Sequence, residues 1–368
     1  MPMKNVHLVI ADLFLPEDFA AEVCAGLHLP ALERILARGA TNGRVGKLPA
    51  APTQIVSGGQ IAHPTQIAPL SLEAVLYGLF DVPCGAGVAP ISAAFDGLGE
   101  GCWLRADPVH VRLQREQVVL LPDVDVNADE ALHLCASLNE HFAGQGMVFF
   151  APHPQRWYLK LAALPDIATV PLSQAAGHNI HGNLPTGAEA RRWHQLFNEV
   201  QMLLFAHPLN AAREARGAVP VNSVWFWGNG SNDIAPQCTY DSVSSDEVLV
   251  EMLASAAGIP FADWSPTWHN SLSSAPCSGG ATRGGQLLVW SGLRNALQRG
   301  DLAAWRQALQ DFENGYAQPL WQALRSGKIA RLQVDISGGD SLRQLHLTRG
   351  DAWAIWRRAK CLPEYSVV

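Results

Sequence analysis

The stretch "VHLVIAD" (Val6–Asp12) decides the fold class, because it is an apolar, β-branched run that ends in a carboxylate. Such a run is typical of a parallel strand covered on both faces, and α/β proteins hold ligands at the carboxyl ends of such strands. The following segment places Leu32, Ile35 and Leu36 at helical spacing. The chain therefore opens with a strand and a helix. Asp12 is either a site residue or a carboxylate that caps the next helix.

Outward from this opening, strands and helices continue to alternate. "AEARRWHQLFNEVQMLLFA" predicts an amphipathic helix, and "SVWFWG" predicts a strand that is apolar on both faces, as in a covered parallel sheet. "QLLVW" and "IARLQVD" predict further strands of the same kind, while the strands and helix between residues 102 and 161 suggest a smaller α+β lobe. Near the end, "DAWAIWRR" predicts a short helix packed by Trp353 and Trp356.

Composition limits the function classes. The chain has 368 residues, of which 48% are hydrophobic, and no apolar run reaches the roughly 18–20 residues that span a bilayer. The net charge of −7 argues against nucleic-acid binding, which needs a basic surface. The seven cysteines are scattered and form no CxxC pair, which favours a reducing cytoplasm. We therefore expect a cytoplasmic protein with neither membrane nor nucleic acid as a partner; a protein partner stays open.

A candidate anion-binding surface lies in "HPLNAAREARGAVPVNSVWFWGNG", residues 207–230. Arg213 and Arg216 offer guanidinium groups, and Asn222 could bond a substrate or hold a turn. Gly228 and Gly230 permit a sharp strand exit with exposed N–H groups, a pattern that can hold an anion. The simpler alternative is a solvated pair of arginines beside a tryptophan-rich strand that packs in the core.

Two further arginines are candidates for the same ligand. Arg105 in "LRADPVH" and Arg156 in "PQRWYLKL" each offer a planar fork suited to a carboxylate or a phosphate. An Arg–Asp ion pair between neighbouring strands would explain Arg105 equally well.

Several long motifs resemble the RpfE-type regulatory proteins of bacteria: "CWLRADPVHVRLQ", "HPQRWYLKL", the segment from "FNEVQ" to "WFWGNG", and the tail "AWAIWRR". This resemblance runs through nearly the whole chain from about residue 25. It implies a regulatory protein whose chemistry is undefined.

Residues 207–230 are also similar to the archaeal-type cofactor-independent phosphoglycerate mutases, which carry a His-Pro, an Arg, a Gly-x-x-Pro-x-Asn and a Trp-Gly-x-Gly in this order. This second resemblance implies an alkaline-phosphatase-like α/β fold: a mostly parallel sheet with helices on both faces and an inserted α+β cap domain. It places the core at residues 1–105 and 221–368, and the cap at residues 106–220.

The mutases use two divalent metals and a serine nucleophile, so the resemblance also implies site residues. Asp12 matches the aspartate that binds metal after the first strand, and Thr65 can be laid on the nucleophile position. Asp335 matches the aspartate of an Asp-His ligand pair, and His346 matches the last metal histidine. These residues would form a remnant that binds one manganese or zinc ion if the protein is active.

Three other metal positions carry residues that differ from the family's ligands. Arg294 stands where the family has an aspartate and Gln298 where it has a histidine, while Ile336 replaces the histidine of the Asp-His pair. A guanidinium repels a divalent cation and does not deprotonate to become a ligand. The two-metal centre therefore cannot assemble in its family form, and we expect Arg294 to pair with Asp12 or Asp335 instead.

The sequence thus predicts a catalytically degenerate, mutase-like protein that acts in regulation or binds a small phosphorylated or carboxylated metabolite, with no metal cofactor. One alternative is a divergent phosphomutase or phosphohydrolase that uses one metal, with Thr65 as nucleophile. Another is a module that binds a protein partner through an apolar surface.

Overall fold

The computed structural model describes residues 4–41, 71–83, 87–114, 117–122, 124–231, 234–268, 285–338 and 341–365. The strands are β1 (Lys4–Ala11), β2 (Ala40–Thr41), β3 (Cys102–Gln114), β4 (Gln117–Leu121), β5 (Met147–His153), β6 (Arg156–Leu161), β7 (Ser223–Gly230), β8 (Ser242–Ser245), β9 (Phe261–Asp263), β10 (Gln286–Trp290), β11 (Ile329–Gly338) and β12 (Ser341–Thr348). The helices are α1 (Glu17–Cys24), α2 (Pro30–Arg38), α3 (Leu72–Leu79), α4 (Ala89–Phe95), α5 (Ala128–His141), α6 (Leu172–Ala175), α7 (Ala190–Phe205), α8 (Pro208–Ala215), α9 (Val248–Ala256), α10 (Gly292–Gln298), α11 (Leu302–Phe312) and α12 (Gln318–Ser326).

The chain divides into two compact units. The first contains the described residues of 4–41, 71–81 and 236–365, and the second those of 82–235. The insertion is therefore longer than the predicted cap of residues 106–220. The reason is that all of β3 and β7 belong to the sheet of the second unit, where they pair with each other.

The sheet of the first unit has the order β2-β12-β11-β1-β10-β8-β9. The pairs β11–β1, β1–β10, β10–β8 and β8–β9 are parallel, and β12 and β2 add an antiparallel edge. β1 lies at the centre, with Val9 in register with Val289 of β10 and Asp335 of β11. The predicted α/β class with a mostly parallel sheet is confirmed.

Both faces of this sheet are covered, as the apolar run of β1 predicts. Val6, Leu8 and Ile10 face a core built with α1, α2, α10, α11 and α12. The alternate residues Val9 and Val289 are also fully buried, so water reaches neither side of the central strands. A strand in this position must be apolar throughout, which is why "VHLVIAD" lacks the alternation of a half-exposed strand.

A buried carboxylate, that of Glu313, holds the N-terminus of helix α2 in place. Leu32, Ile35 and Leu36 of α2 are buried as predicted. Glu313, fully buried in a π-helical turn after α11, accepts hydrogen bonds from the backbone N–H groups of Ala31 (2.8 Å) and Leu32 (2.9 Å). These N–H groups have no partner within the helix, so the carboxylate satisfies the first turn of α2 and complements its dipole.

The second unit is an antiparallel sheet with the order β4-β3-β6-β5, and β7 also pairs with β3. The long strand β3 pairs through its first half with β6 and β7 and through its last residues with β4. The prediction of "SVWFWG" as a parallel strand is therefore wrong. Its two apolar faces have another cause: Trp225 and Phe226 are both buried, and α7 covers the latter with Trp193, 5.3 Å between ring centroids.

Two backbones approach each other closely beside β7. A Cβ atom added to Gly87 would lie 1.9 Å from the carbonyl oxygen of Asn229, and one added to Gly230 would lie 3.1 Å from the Gly87 backbone. No side chain can be accommodated at either position without a shift of the backbone. This contact fixes the chain before α4 to the end of β7.

We predict that Gly87→Ala lowers the free energy of unfolding by about 1–3 kcal/mol, because the new methyl group meets a backbone carbonyl that cannot move aside. Gly99→Ala is the control in the same unit, since a Cβ there meets nothing within 4 Å. Urea denaturation followed by circular dichroism measures both. Equal stability of the two variants would contradict the close approach.

Candidate functional site

The carboxyl edge of the large sheet begins at Asp12, the residue after β1. Asp12 has a positive φ of 55°, and its backbone N–H donates to the carbonyl of Ser337 at 2.7 Å. Aspartate tolerates this left-handed conformation better than most residues, so the strand can end in a sharp turn that keeps the carboxylate at the edge.

Arg294 lies against this carboxylate. Its Nε donates to Asp12 Oδ2 at 2.9 Å and its Nη1 donates to Glu73 Oε1 at 3.1 Å, with only 15% of the side chain exposed. Burial alone would lower the pKa of the guanidinium, but Glu73 and Asp12 outweigh it, so the pKa is raised and the group stays charged. The contact with Asp12 expected from the sequence is present.

Two more carboxylates follow β8 at the same edge of the sheet. Asp246 accepts a hydrogen bond from the backbone N–H of Ser291 at 2.7 Å. Burial raises the pKa of Asp246 and of Glu247, and Arg294 opposes the shift of both. Carboxylates thus outnumber the guanidinium of Arg294 at this edge of the sheet. The resulting negative charge disfavours the binding of an anionic ligand next to these carboxylates.

Asp335 is held separately, within β11. It is 2% exposed and accepts hydrogen bonds from Gln333 Nε2 (3.2 Å) and Gln344 Nε2 (3.1 Å), and His7 Nε2 lies 3.1 Å from its Oδ2. The other ring nitrogen of His7 is 2.5 Å from the hydroxyl of Tyr240. Burial would raise the pKa of Asp335, but His7 and the two glutamines lower it overall.

The residues predicted as a metal remnant do not gather into one site. Asp12 is bound to Arg294 and Asp335 to His7, while His346 is in register with Gln333 on β12. Among the described residues, no three His, Cys, Asp or Glu side chains lie where they could share a metal ion. The fit to a mutase-type two-metal centre therefore fails at Arg294, which stands among the carboxylates.

Two predicted positions add nothing to this site. Gln298 is exposed at the end of α10, one turn beyond Arg294. Thr65, the predicted nucleophile, lies outside the described residues.

The predicted anion surface in residues 207–230 has structural partners instead. Arg213 on α8 is 0% exposed, forms an ion pair with Glu130, and donates to the carbonyls of Asp125 (2.6 Å) and Val219 (2.8 Å). A guanidinium that is fully buried and fully bonded cannot reach a ligand. The assignment of Arg213 as a ligand-binding residue is therefore corrected to a structural role.

Arg216 and Asn222 are also engaged within the second unit. Arg216 pairs with the other oxygen of Glu130, although 53% of its side chain is exposed. Asn222 bridges the backbone of Val111, accepting from its N–H at 2.7 Å and donating to its carbonyl at 2.8 Å. Asn222 thus continues the pairing of β7 with β3 beyond the end of the ladder.

The glycine loop is not an anion nest. Gly228 has a φ of 68°, but its N–H donates to Thr169 Oγ1 at 3.1 Å, and Gly230 is paired with Trp103 of β3. The positive φ coincides with a register shift in the β3–β7 ladder. These glycines serve a bulge and the close approach to Gly87.

Arg105 and Arg156 belong to a buried network under α4. Arg105 donates to Asp107 Oδ1 (3.1 and 2.7 Å) and to Ser92 Oγ (2.9 Å), so it does form an ion pair, but with an aspartate of its own strand and not of a neighbouring one. Arg156 forms two hydrogen bonds with Asp96, at 2.9 and 2.7 Å. Neither arginine has the free fork that recognition of a ligand carboxylate needs.

The charged group at the carboxyl edge of the large sheet consists of Asp12, Arg294, Glu73, Asp246 and Glu247. The last three of these were not predicted as site residues from the sequence. Glu73 is the lone charged residue in the apolar helix "SLEAVLYGLF", and Asp246 and Glu247 directly follow a strand. Both features were signals of a site. His7 gave a weaker one, as a polar residue inside a buried strand.

We predict that Arg213→Ala lowers the free energy of unfolding by about 3–5 kcal/mol, because Glu130 would lose its buried partner and the carbonyls of Asp125 and Val219 would lose their donor. Arg216→Ala is the matched control; it removes an exposed partner of the same carboxylate and should cost about 0–1 kcal/mol. Urea denaturation distinguishes the two. Equal decreases in the free energy of unfolding of the two variants would contradict the structural role of Arg213.

We predict a pH-dependent contribution of Asp335 to stability. A carboxyl group whose pKa is lowered in the folded state stabilises the protein fully above its ordinary pKa, near 4, and loses that contribution as pH falls through the lower folded pKa. The stability difference between wild type and Asp335→Asn should therefore shrink below about pH 4. Urea denaturation across pH measures it, with the exposed Asp263→Asn as control; a difference independent of pH would refute the assignment.

Three curated proteins are similar to this chain in sequence, and each is named as a phosphoglycerate mutase. The 2,3-bisphosphoglycerate-independent phosphoglycerate mutase of Methanosarcina barkeri is 24% identical over 244 residues, covering 64% of this chain and 57% of that protein. The same-named protein of Methanosarcina mazei is 26% identical over 210 residues, covering 55% and 48%. A probable mutase of Geobacter sulfurreducens is 39% identical over 64 residues, covering 17% and 16%. The matched segments span about half of the Methanosarcina proteins, and no family model matches the chain.

Among solved structures, a cofactor-independent phosphoglycerate mutase from Thermoplasma acidophilum aligns with a TM-score of 0.42 at 14% identity, covering 95% of this chain and 90% of that one. A Pyrococcus horikoshii protein aligns with a TM-score of 0.48 at 12% identity, covering 94% and 87%. None of these relatives is an RpfE-type protein, so that resemblance stays a prediction. By sequence, the chain is a distant homologue of the archaeal cofactor-independent phosphoglycerate mutases.

Proposed function

We propose that this chain is a mutase-related protein that has exchanged two-metal chemistry for a fixed arginine, and that it acts by binding or regulation rather than by phosphoryl transfer. The observation that carries the proposal is the contact of Arg294 with Asp12 and Glu73. The distant homology to phosphoglycerate mutases supports the comparison of this site with theirs.

The physical reason is charge. Divalent metals in phosphotransferases are held by carboxylates and histidines and clamp the attacking and leaving oxygens. A guanidinium at 2.9 Å from Asp12 already neutralises that carboxylate and repels a second cation. Since arginine does not lose its proton at physiological pH, it cannot make way by titration.

The ligand we propose is a small phosphorylated or carboxylated metabolite, a class suggested by the activity for which the relatives are named; it would bind away from the carboxylates at the edge of the sheet, which repel anions. Residues 207–230 do not support its recognition, because their polar groups are used internally. The resemblance to RpfE-type proteins and the residues that stand at the metal positions support a regulatory role as part of this proposal.

The alternative is a divergent phosphomutase or phosphohydrolase that uses one manganese or zinc ion. Asp12 and Glu73, which both contact Arg294, favour it, because carboxylate oxygens are ligands that hard cations prefer, although the described residues hold no group of three such side chains arranged for a metal ion. In that case Arg294 would have to leave the carboxylates when the metal enters.

We predict that Arg294→Ala lowers the melting temperature and that millimolar Mn²⁺ or Zn²⁺ restores part of it, since a cation would then compensate the exposed carboxylates. A ligand that binds only the folded state raises its stability in proportion to its affinity. Wild-type protein should show no such rise. Differential scanning calorimetry measures both.

Arg156→Ala is the matched control, because it also removes a bidentate arginine but leaves a single carboxylate, Asp96. It should be destabilised without rescue by metal. Stoichiometric metal in the purified wild-type protein, with phosphomutase turnover that Asp12→Asn abolishes, would overturn the proposal and establish the alternative.

A further inference from the structure

The segment after β12 has an inverted pattern of burial. Ala352 and Ala354 point inward and are 1% and 3% exposed, whereas Trp353, Ile355 and Trp356 are 53%, 74% and 77% exposed. Burial normally selects the large apolar side chains and leaves small ones outside. The sequence-based prediction that Trp353 and Trp356 pack a helix is therefore wrong, and their exposure requires another explanation.

This exposure is fixed by hydrogen bonds that hold the segment to the first unit. Arg38 Nη1 donates to the carbonyl of Ala352 at 2.7 Å, and Arg357 Nη1 donates to the carbonyl of Arg38 at 2.8 Å. Thr348 Oγ1 donates to Asp351 Oδ2 at 2.8 Å and closes the turn at its start. The three apolar side chains are thus presented outward by an anchored backbone.

Basic residues are concentrated in the chain around these side chains, in a protein whose net charge is −7. Residues 349–360 contain four basic side chains and one acidic side chain: Arg349, Arg357, Arg358, Lys360 and Asp351. Arg357 lies 3.7 Å from Asp351, and Lys360 lies 3.7 Å from Glu364, so part of this positive charge is paired at the surface. From α12, Arg325 lies 4.7 Å above the ring of Trp353. Arg34 and Arg325 are close enough to lower the pKa of Arg38, although burial is the larger cause.

We propose that this aromatic–basic surface, formed by Trp353, Ile355, Trp356, Arg357, Arg358 and Lys360, binds the protein to an anionic phospholipid surface. Tryptophan favours the boundary between headgroups and acyl chains, and an aliphatic side chain beside it adds apolar area for shallow insertion. Arginine and lysine next to such residues are attracted to the negative surface potential of acidic lipids. An anionic phospholipid bilayer provides both requirements, because it has negatively charged phosphate groups at its surface and an apolar interior beneath them.

Two other occupants fit less well. A symmetric contact with a second copy would bring the same surface face to face, and its cations would repel each other. A single-stranded nucleic acid would stack on the tryptophans, but Ile355 offers no stacking face. The expectation from sequence of no membrane partner rested on the lack of a spanning segment. None of the described helices is long and apolar enough to cross a membrane, and contact with a surface needs no such helix.

The test is flotation of the full-length protein with phosphatidylcholine vesicles, prepared with and without phosphatidylserine. We expect binding only when phosphatidylserine is present and release at high salt, where charges are screened over about 3 Å. Trp353→Ser with Trp356→Ser should weaken binding by about tenfold or more. Arg358→Gln with Lys360→Gln should weaken it by roughly fivefold for each cation removed.

Met202→Ser with Phe205→Ser is the matched control, since these side chains of α7 are 68% and 81% exposed but lie in the other unit. It should bind vesicles as wild type does. Three results would overturn the proposal: no binding to phosphatidylserine vesicles, binding that the tryptophan pair does not affect, or a monomer–dimer equilibrium or oligonucleotide binding that the pair abolishes without any vesicle binding.

Discussion

Arg294 donates from Nε to Asp12 and from Nη1 to Glu73, so one guanidinium holds together the end of β1, the helix α3 and the helix α10. These elements are far apart in sequence, and each contributes a group that would be costly to bury alone. The central strand can end in a partly buried carboxylate because this cation is beside it. The same contact determines the chemistry available at the carboxyl edge, where a mutase-type metal pair would need the carboxylates that Arg294 occupies.

The second unit uses its polar residues in a different way. Arg213 is bound to Glu130, Arg105 to Asp107 and Arg156 to Asp96, and each carboxylate is itself less than one-tenth exposed by its side chain. Paired charges of this kind specify one arrangement of strands and helices, because any rearrangement would leave an uncompensated ion in the interior. The arginines of this unit thus maintain its fold, and recognition of a ligand must come from other groups.

The sequence predicted the central strand and the helix α2, because each depends on a local pattern. The pairing of Arg294 with Asp12 was expected through the resemblance to the mutases, which aligns Arg294 with a metal-binding aspartate. The sequence did not predict the role of Arg213, since spacing along the chain does not reveal that folding brings Glu130, 83 residues away, against it. The direction of β7 was missed for a similar reason: buried strands of parallel and antiparallel sheets have the same apolar composition. Trp353 and Trp356 were assigned to the core because sequence alone does not distinguish a large side chain that packs inward from one that is held outward.

Anomalous diffraction from crystals soaked in Mn²⁺ tests the central claim most directly, because it locates the metal and the guanidinium in the same experiment. The account predicts no manganese peak within bonding distance of Asp12, and electron density for Arg294 against the carboxylates of Asp12 and Glu73. A manganese peak on Asp12 with Arg294 displaced from it would contradict the claim that the arginine has taken the place of the metal.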